Sequence, residues 1–248
     1  MKSFIIAACA VAAFSASAVA AEIKVLSAGA VEPGLMRAAE GFKKASGHEL
    51  RVQYNTAPQL AKKLADGETG DILIAPPALL DEQAKANKIS PQGRATIGRV
   101  GAGVMVRADA SPPNIATTEA LKQALLDADS IVYNTASSGQ YIAKMIEKLG
   151  IADQVKAKTT LYPDAAAVVA HVAMGKGNEI GFSPVPEIKM SEPKGVKLVG
   201  PLPADIQNYT TYGAAELTGG ASKDAAKAFL AYLATPEAKQ TFASAGIE

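Results

Sequence analysis

Four short segments place polar residues where a predicted strand gives way to a predicted helix. The first amides of a helix have no partner inside it and carry positive partial charge, so a helix start holds an anion without Arg or Lys. Four such starts that meet in one cleft would bind an anion or a strongly polar solute. The segments are SAGAVEPG from Ser27, NTAP from Asn55, TASSGQY from Thr135 and PDAAAV from Pro163.

Helix capping offers another explanation for each of these segments taken singly. Thr56, Ser138 and Asp164 belong to the residue types that accept a hydrogen bond at the start of a helix. Two segments in each half of the chain favour a shared cleft over separate caps. We therefore predict that Thr56 and Ser138 contact one anionic or polar ligand from opposite sides of a cleft.

Residues for catalysis or metal binding are few. The chain has two histidines, His48 and His171, and a single helical histidine is more often structural than catalytic. The GFSPV segment around Ser183 lacks the second glycine of a nucleophile elbow, and the sequence contains no phosphate-binding loop or dinucleotide fingerprint. No Asp, Glu and His cluster has metal-ligand spacing. We predict a binding protein without enzymatic activity, cofactor or metal; the alternative from another class is a periplasmic hydrolase that uses Ser138 or His171.

The beginning of the sequence has the pattern of an export signal. Lys2 supplies a positive charge, an apolar run follows, and SASAVAAE offers small residues to a signal peptidase. We expect residues 1–21 to be a signal peptide, with cleavage after Ala20 or Ala21, and the mature protein to reside in the periplasm. The lone cysteine, Cys9, comes too early for a lipid anchor and would leave with the signal, which excludes disulfides from the mature chain.

Charge and composition narrow the choice of partner. Loss of Lys2 with the signal would leave 24 basic residues (25 minus one) against 24 acidic ones. A neutral protein has no electrostatic footprint for nucleic acid or an anionic membrane. Aromatic residues make up 5% of the chain and Trp is absent, which disfavours stacking platforms for sugars or single strands. A small molecule or an oxyanion remains the expected ligand.

Apolar patterns and turn signals predict an α/β protein. Strand-like and helix-like segments alternate from EIKVLSA to ALLDEQAKANK, an order typical of a mainly parallel sheet with helices on both faces. The glycine-rich strand GRVGAGVMVR and the later NYTTYG strand flank a second α/β series, which indicates a crossing into a second lobe and a return. We predict a first lobe from 22–100 and 205–248, a second lobe from 101–204, and closure by hinge motion.

Four stretches of the chain carry a resemblance to a known family. They are EIKVLSAGAVEPGLMRAAEGFKKASGHELRVQYNTAPQLAKKL, GDILIAP, SGQYIAKMIEKLGI and AKAFLAYLATPEAKQTFASAGI. Together they resemble the molybdate-binding family among the extracytoplasmic solute-binding proteins of ABC importers. The resemblance implies a type 2 periplasmic binding fold, with two α/β lobes joined by two hinge crossings, and delivery of the ligand to a membrane permease. We expect the protein to be a monomer.

The family holds a tetrahedral oxyanion with serine hydroxyls and backbone amides, and the resemblance implies where those contacts fall in the first lobe. The serine position of the first loop falls on Ala30, and that of the second loop falls on Ala57. Thr56, beside Ala57, carries the nearest hydroxyl. Each hydroxyl lost from a dry site would cost about 1–3 kcal/mol of binding free energy, although the amides remain.

In the second lobe the implied contacts are the hydroxyl of Ser138 and the amide of Ala165, which follows Asp164. A tyrosine that the family carries after the strand EIGF falls on Pro184. These departures leave the ligand open. A molybdate- or tungstate-like oxyanion is one expectation, and a small organic anion in the same cleft is the alternative.

Overall fold

The computed structural model describes residues 20–248 of the protein, with the side chains of residues 91 and 92 excepted. The predicted signal peptide, with Cys9, therefore lies outside the described residues apart from Ala20 and Ala21. Within the described range, no helix combines the length and the apolar character that a membrane span requires.

Strands and helices alternate along the described chain in the order that the sequence patterns predict. The helix after the first strand ends at Gly47, whose φ of +77° is the left-handed conformation that glycine tolerates. Several helices carry proline in the first turn, where the missing amide hydrogen costs no hydrogen bond. The elements are β1 (Glu22–Ala28), α1 (Glu32–Ser46), β2 (Glu49–Asn55), α2 (Ala57–Ala65), β3 (Ile72–Ala75), α3 (Pro77–Lys85), β4 (Ile89–Arg107), α4 (Thr118–Asp127), β5 (Ser130–Asn134), α5 (Ser137–Lys148), α6 (Ala152–Val155), β6 (Thr159–Tyr162), α7 (Ala165–Met174), β7 (Glu179–Pro184), α8 (Val185–Ser191), β8 (Val196–Pro201), β9 (Tyr209–Leu217), α9 (Lys223–Leu233) and α10 (Pro236–Ser244).

The first lobe is built on a sheet with the strand order β2-β1-β3-β9-β4. β1 runs parallel to β2 and β3, whereas β9 is antiparallel to both of its neighbours. Helices α1, α9 and α10 cover one face of the sheet and bury Phe42, Phe229 and Phe242. Helices α2 and α3 cover the other face, against Leu26 and Leu73 of the central strands. Both faces are therefore buried, as expected for crossover connections made by helices.

The second lobe has its own sheet and its own core. β5 pairs in parallel with β6 and β7, and the last part of β4 pairs in antiparallel fashion with β7 and β8. Helices α4, α5 and α6 bury one apolar cluster around Phe182. Helices α7 and α8 bury a second cluster on the opposite face, around Val132 and Ile188.

β4 connects the lobes because it is long enough to belong to both sheets. It pairs with β9 as far as Gly101 and with β7 from Ala102 onward. The chain returns to the first lobe between β8 and β9, which makes the second crossing. The two-lobed α/β architecture predicted from the sequence is thus confirmed, while the residue boundaries at 100/101 and 204/205 stay a prediction.

Three elements differ from the sequence prediction, and the short helix α6 is one that the patterns did not indicate. β4 begins at Ile89 rather than near Gly98, because pairing with β9 holds the irregular SPQGRA segment in the sheet despite its proline and glycine. Helix α8 was not predicted, since its segment VPEIKMS contains a proline that reads as a turn. That proline, Pro186, occupies the first turn of the helix, where it is tolerated.

Candidate functional site

All four polar segments open into one cleft between the lobes, with a volume of about 270 Å³. The cleft lies outside the carboxyl ends of β1, β2, β5 and β6, where open α/β sheets bind their ligands. The structure therefore brings together the six residues that the sequence singled out. They are Ala30, Thr56, Ala57, Ser138, Asp164 and Ala165, and Pro184 lines the same cleft.

Most hydrogen-bonding groups at the start of α2 bond to one another. The Thr56 amide donates to Gln59 Oε1 at 2.8 Å, and the Thr56 hydroxyl faces the Gln59 amide in a looser contact that completes a capping box. Pro58 has no amide hydrogen. The Ala57 amide is therefore the one donor of this first turn that lacks a partner within the helix. Contact between the Thr56 hydroxyl and a ligand, predicted from the sequence, would use the hydroxyl hydrogen while its oxygen accepts the Gln59 amide.

The start of α5 leaves more hydrogen-bonding groups free for a ligand than the sequence indicated. Ala136, not Ser138, is the residue that caps the helix, and its amide donates to Asn134 Oδ1 at 2.9 Å. Ser137 and Ser138 both line the cleft from the first helical turn. Within residues 20–248, neither hydroxyl is hydrogen-bonded to another protein group. The capping alternative for Ser138 is therefore wrong, while contact between its hydroxyl and a ligand stays a prediction.

The end of β5 and the start of α5 touch closely, and a glycine makes this possible. A Cβ placed on Gly139 would stand 1.6 Å from the carbonyl oxygen of Asn134. Any other residue would therefore push α5 away from β5. Gly139 thus fixes the position of the two serine hydroxyls relative to the sheet.

The start of α7 is capped as the sequence predicts, because Asp164 Oδ1 accepts the Ala167 amide at 3.0 Å. The amides of Ala165 and Ala166 come before that bond and line the cleft. In the first lobe the corresponding element is a 3₁₀ turn, Gly29–Val31, which has no side-chain donor. Ala30 in this turn is buried and contributes backbone alone.

Sequence reasoning missed Glu187 of α8, whose carboxyl lines the cleft. Its Oε2 accepts the Ser183 hydroxyl at 2.9 Å. Its Oε1 lies 3.1 Å from the position that a Cβ on Gly29 would take, so the carboxyl abuts the 3₁₀ turn of the first lobe. The signal in the sequence was the four-residue spacing from Ser183, which becomes informative once α8 is known to be a helix.

Burial is the largest influence on the ionisation of Glu187, and it raises the pKa of that carboxyl to about 7. The hydrogen bond from Ser183 lowers the pKa, whereas the negative charges of Glu32 and Asp164 raise it. Glu187 keeps some surface exposed to the cleft, so this carboxyl remains in reach of a ligand. It would be about half protonated at neutral pH.

Apart from Asp164, the other titratable groups of the cleft were not singled out from the sequence. Burial raises the pKa of Glu32, and the nearby Lys194 ammonium lowers it. Burial likewise raises the pKa values of Tyr54 and Tyr212, so both phenols stay protonated. Among the described lining residues, Lys194 is the one cation. An anion in this cleft would thus depend on amides and hydroxyls more than on ammonium groups.

The histidine of the hydrolase alternative lies outside the cleft. His171 Nε2 is 3.0 Å from the Ser130 hydroxyl, and its Nδ1 is 2.9 Å from the Tyr162 hydroxyl. Both ring nitrogens are engaged, so the described residues contain no pairing of His171 with Ser138. The part of the chain that the structure describes also contains no group of three or more His, Cys, Asp or Glu residues arranged to hold a metal ion.

Residues 23–248 match the model of a protein family that is described as bacterial extracellular solute-binding protein. Two curated relatives align along most of the chain. The aconitate isomerase of a Pseudomonas species is 27% identical over 232 residues, which are 91% of this chain and 87% of the relative. The molybdate-binding protein ModA of Azotobacter vinelandii is 24% identical over 240 residues, which are 93% of this chain and 91% of the relative.

Among solved structures, the periplasmic molybdate-binding protein of Azotobacter vinelandii superposes with a TM-score of 0.76. The match covers 91% of this chain and 98% of that chain at 17% sequence identity. Similarity at this identity shows a shared fold and nothing finer. It confirms the periplasmic-binding-protein fold that the sequence resemblance implied.

Proposed function

The chain belongs to the bacterial extracellular solute-binding proteins, and from that membership we propose that it is the periplasmic receptor of an ABC importer for a small oxyanion. The ligand is captured in the cleft between the lobes and delivered to a membrane permease. The receptor acts as a monomer after its signal peptide is removed behind Ala20 or Ala21. The lobes close on the ligand by hinge motion at the two crossings, near residues 100 and 205.

One observation carries this proposal: helix starts from both lobes converge on the same cleft. The first lobe offers the Ala57 amide, and the second offers the hydroxyls and amides of Ser137 and Ser138 with the Ala165 amide. A ligand held from both sides favours the closed arrangement of the lobes over the open one. Oriented amides of this kind recognise anions through partial charge.

The first candidate ligand is a tetrahedral oxyanion of the molybdate or tungstate type. The relative named ModA and the superposed neighbour both carry molybdate in their names, which supports this choice. The absence of side-chain hydroxyls at Ala30 and Ala57 leaves room for a larger solute. A small organic anion is therefore the alternative within the same function.

Ligand screening by thermal shift tests the receptor function. The exported protein is melted with molybdate, tungstate, sulfate and trans-aconitate, followed by calorimetry on every compound that raises the midpoint. A ligand at about 100 times its Kd stabilises the folded protein by about 2.7 kcal/mol. Stabilisation by arginine or glucose, with none by the four anions, would contradict the proposal.

A second candidate function is supported by the curated relative named aconitate isomerase. Moving a double bond in an unsaturated carboxylate requires a group that takes a proton from one carbon and returns a proton to another. Glu187 has the pKa for such an exchange near neutral pH. Incubation with trans-aconitate and detection of cis-aconitate by proton NMR tests this candidate, with Glu187→Gln as the variant that must bind the compound and leave it unchanged.

A further inference from the structure

We propose that Glu187 meets the bound anion as a neutral carboxylic acid and donates a hydrogen bond to it, so that ligand capture takes up a proton. The inference rests on the receptor function proposed above and adds to it a residue that selects the ligand. An anion with an acceptor oxygen facing α8 would be bound, and one without such an oxygen would leave the acid unsatisfied.

The geometry of Glu187 supports this role. The Ser183 hydroxyl donates to Oε2 at 2.9 Å and holds the carboxyl in one orientation. Ser183 itself is buried, with 1% of its surface exposed, so water does not compete for this bond. Oε1 points toward the Gly29–Val31 turn on the opposite lobe, 3.1 Å from the position of a Cβ on Gly29. The proton therefore belongs on Oε1, at the cleft, where the facing turn offers no side-chain donor of its own.

The charges around Glu187 favour the neutral form when an anion is present. Glu32 of α1 and Asp164 at the start of α7 both act on it with like charge. Tyr212 of β9 lies close by with its phenol protonated. Lys194, after α8, lines the same cleft and is the nearest opposite charge among the described lining residues. The two ionised carboxyl groups and a bound anion would outweigh this one ammonium.

The other charged side chains on elements that pack against α8 have partners of their own or are exposed, and those of α1 are exposed, namely Arg37, Glu40, Lys43 and Lys44. β4 and β8 lie against α8, but Arg107 contacts Asp109 and Glu179, and Lys197 acts on Asp109. His171 of α7 is held by Ser130 and Tyr162, and Lys189 of α8 is exposed. The protonation equilibrium of Glu187 is therefore set by the charged groups that line the cleft.

Because the pKa of Glu187 lies at about 7, the coupling between ligand binding and proton uptake can be measured near neutral pH. With the pKa at about 7, about one tenth of the free protein carries an ionised Glu187 at about pH 6, and about nine tenths at about pH 8. Since the bound form holds the proton, the proton uptake per ligand rises from about 0.1 to about 0.9 across this interval. The apparent affinity falls about tenfold over the same interval, because a smaller fraction of the free protein is competent.

The test is calorimetry of the exported protein with molybdate, tungstate, sulfate and trans-aconitate, all of which stay ionised between about pH 6 and 8. Each titration is run in two buffers of different ionisation enthalpy, and the difference gives the number of protons taken up. The expected result is uptake that rises with pH, together with a fall of about tenfold in affinity. Affinity and proton count that stay constant with pH, or proton release, would overturn the inference.

Two variants sharpen the test. Glu187→Gln keeps a neutral donor at the same position, so its affinity should be independent of pH and its proton uptake should vanish. Glu192→Gln changes a glutamate in the next turn that does not line the cleft, and it should behave as the unmodified protein does. Binding without proton uptake would remove the role of Glu187 and leave the receptor function standing. If none of the four anions binds, the receptor function fails and the inference fails with it.

Discussion

Ser183 and Glu187 lie four residues apart and are joined by a hydrogen bond of 2.9 Å, from the hydroxyl to one carboxyl oxygen. This bond ties the end of β7 to the first turns of α8 and directs the other carboxyl oxygen across the cleft. The sequence shows the same two residues as unremarkable parts of a strand end and a proline-rich segment.

The first prediction concerns the stability of the free protein as a function of pH. The pKa of Glu187 is raised from about 4.5 to about 7 by folding, so the folded state binds this proton more tightly than the unfolded state does. The free energy of unfolding should therefore fall as pH rises from about 4.5 to about 7. Glu187→Gln removes this loss, so its melting temperature relative to the unmodified protein should increase between about pH 5 and pH 8. Thermal melts of both proteins at several pH values test this. A difference in melting temperature that does not change with pH would contradict the raised pKa of Glu187.

The hydroxyls of Ser137 and Ser138 should contribute to ligand affinity and not to the stability of the free protein. Neither caps α5, so Ser137→Ala and Ser138→Ala should leave the melting temperature of the free protein nearly unchanged. Each should weaken ligand binding by about 1.5–3 kcal/mol, or roughly 10- to 150-fold in Kd, for a hydrogen bond between neutral and charged partners. Calorimetry on the two variants and the double variant measures this. Full affinity in the double variant would show that the amides alone hold the ligand.

Thr56 should contribute more to the stability of the free protein than to ligand affinity. Its capping box with Gln59 stabilises the start of α2, so Thr56→Ala should lower the free energy of unfolding by about 0.5–2 kcal/mol. The Ala57 amide remains, so ligand affinity should change less than in Ser138→Ala. Thr56→Ser retains a capping hydroxyl and is the matched control in urea unfolding. A large loss of affinity with no loss of stability would show that the Thr56 hydroxyl binds the ligand after all.

Gly139 should tolerate no side chain. Alanine normally favours a helix over glycine, yet a Cβ here would stand 1.6 Å from the Asn134 carbonyl oxygen. Gly139→Ala should therefore destabilise the second lobe by about 3 kcal/mol or more, because overpacking against backbone has no flexible side chain to relieve it. Gly219→Ala is the control, since its nearest neighbour would be a methyl group of Thr69 at 3.7 Å. Denaturant unfolding of both variants measures the difference, and equal stability would contradict the close approach.

The sequence by itself was enough to predict the architecture. Alternating apolar strands and amphipathic helices specify an α/β protein, because each pattern buries a face of fixed period. The stop of α1 at Gly47 and the cap at Asp164 are local events, and both were predictable from residue type alone. The strand–helix junctions also indicated one cleft for Thr56, Ser138 and Asp164, since the carboxyl ends of neighbouring parallel strands meet at one edge of a sheet. The positions of Ala30, Ala57 and Ala165 followed from the family resemblance.

The tertiary structure decided the chemistry of the cleft. Whether Thr56 or Ser138 caps its own helix depends on neighbours such as Gln59, which completes the capping box with Thr56, and Asn134, which accepts the amide of the capping residue Ala136. The presence of Glu187 depends on α8, which packs between the lobes and brings a carboxyl to the Gly29 turn from far along the chain. Its pKa is raised because burial and two other carboxyl groups act on it together, and such long-range contacts leave no periodic signal in a sequence.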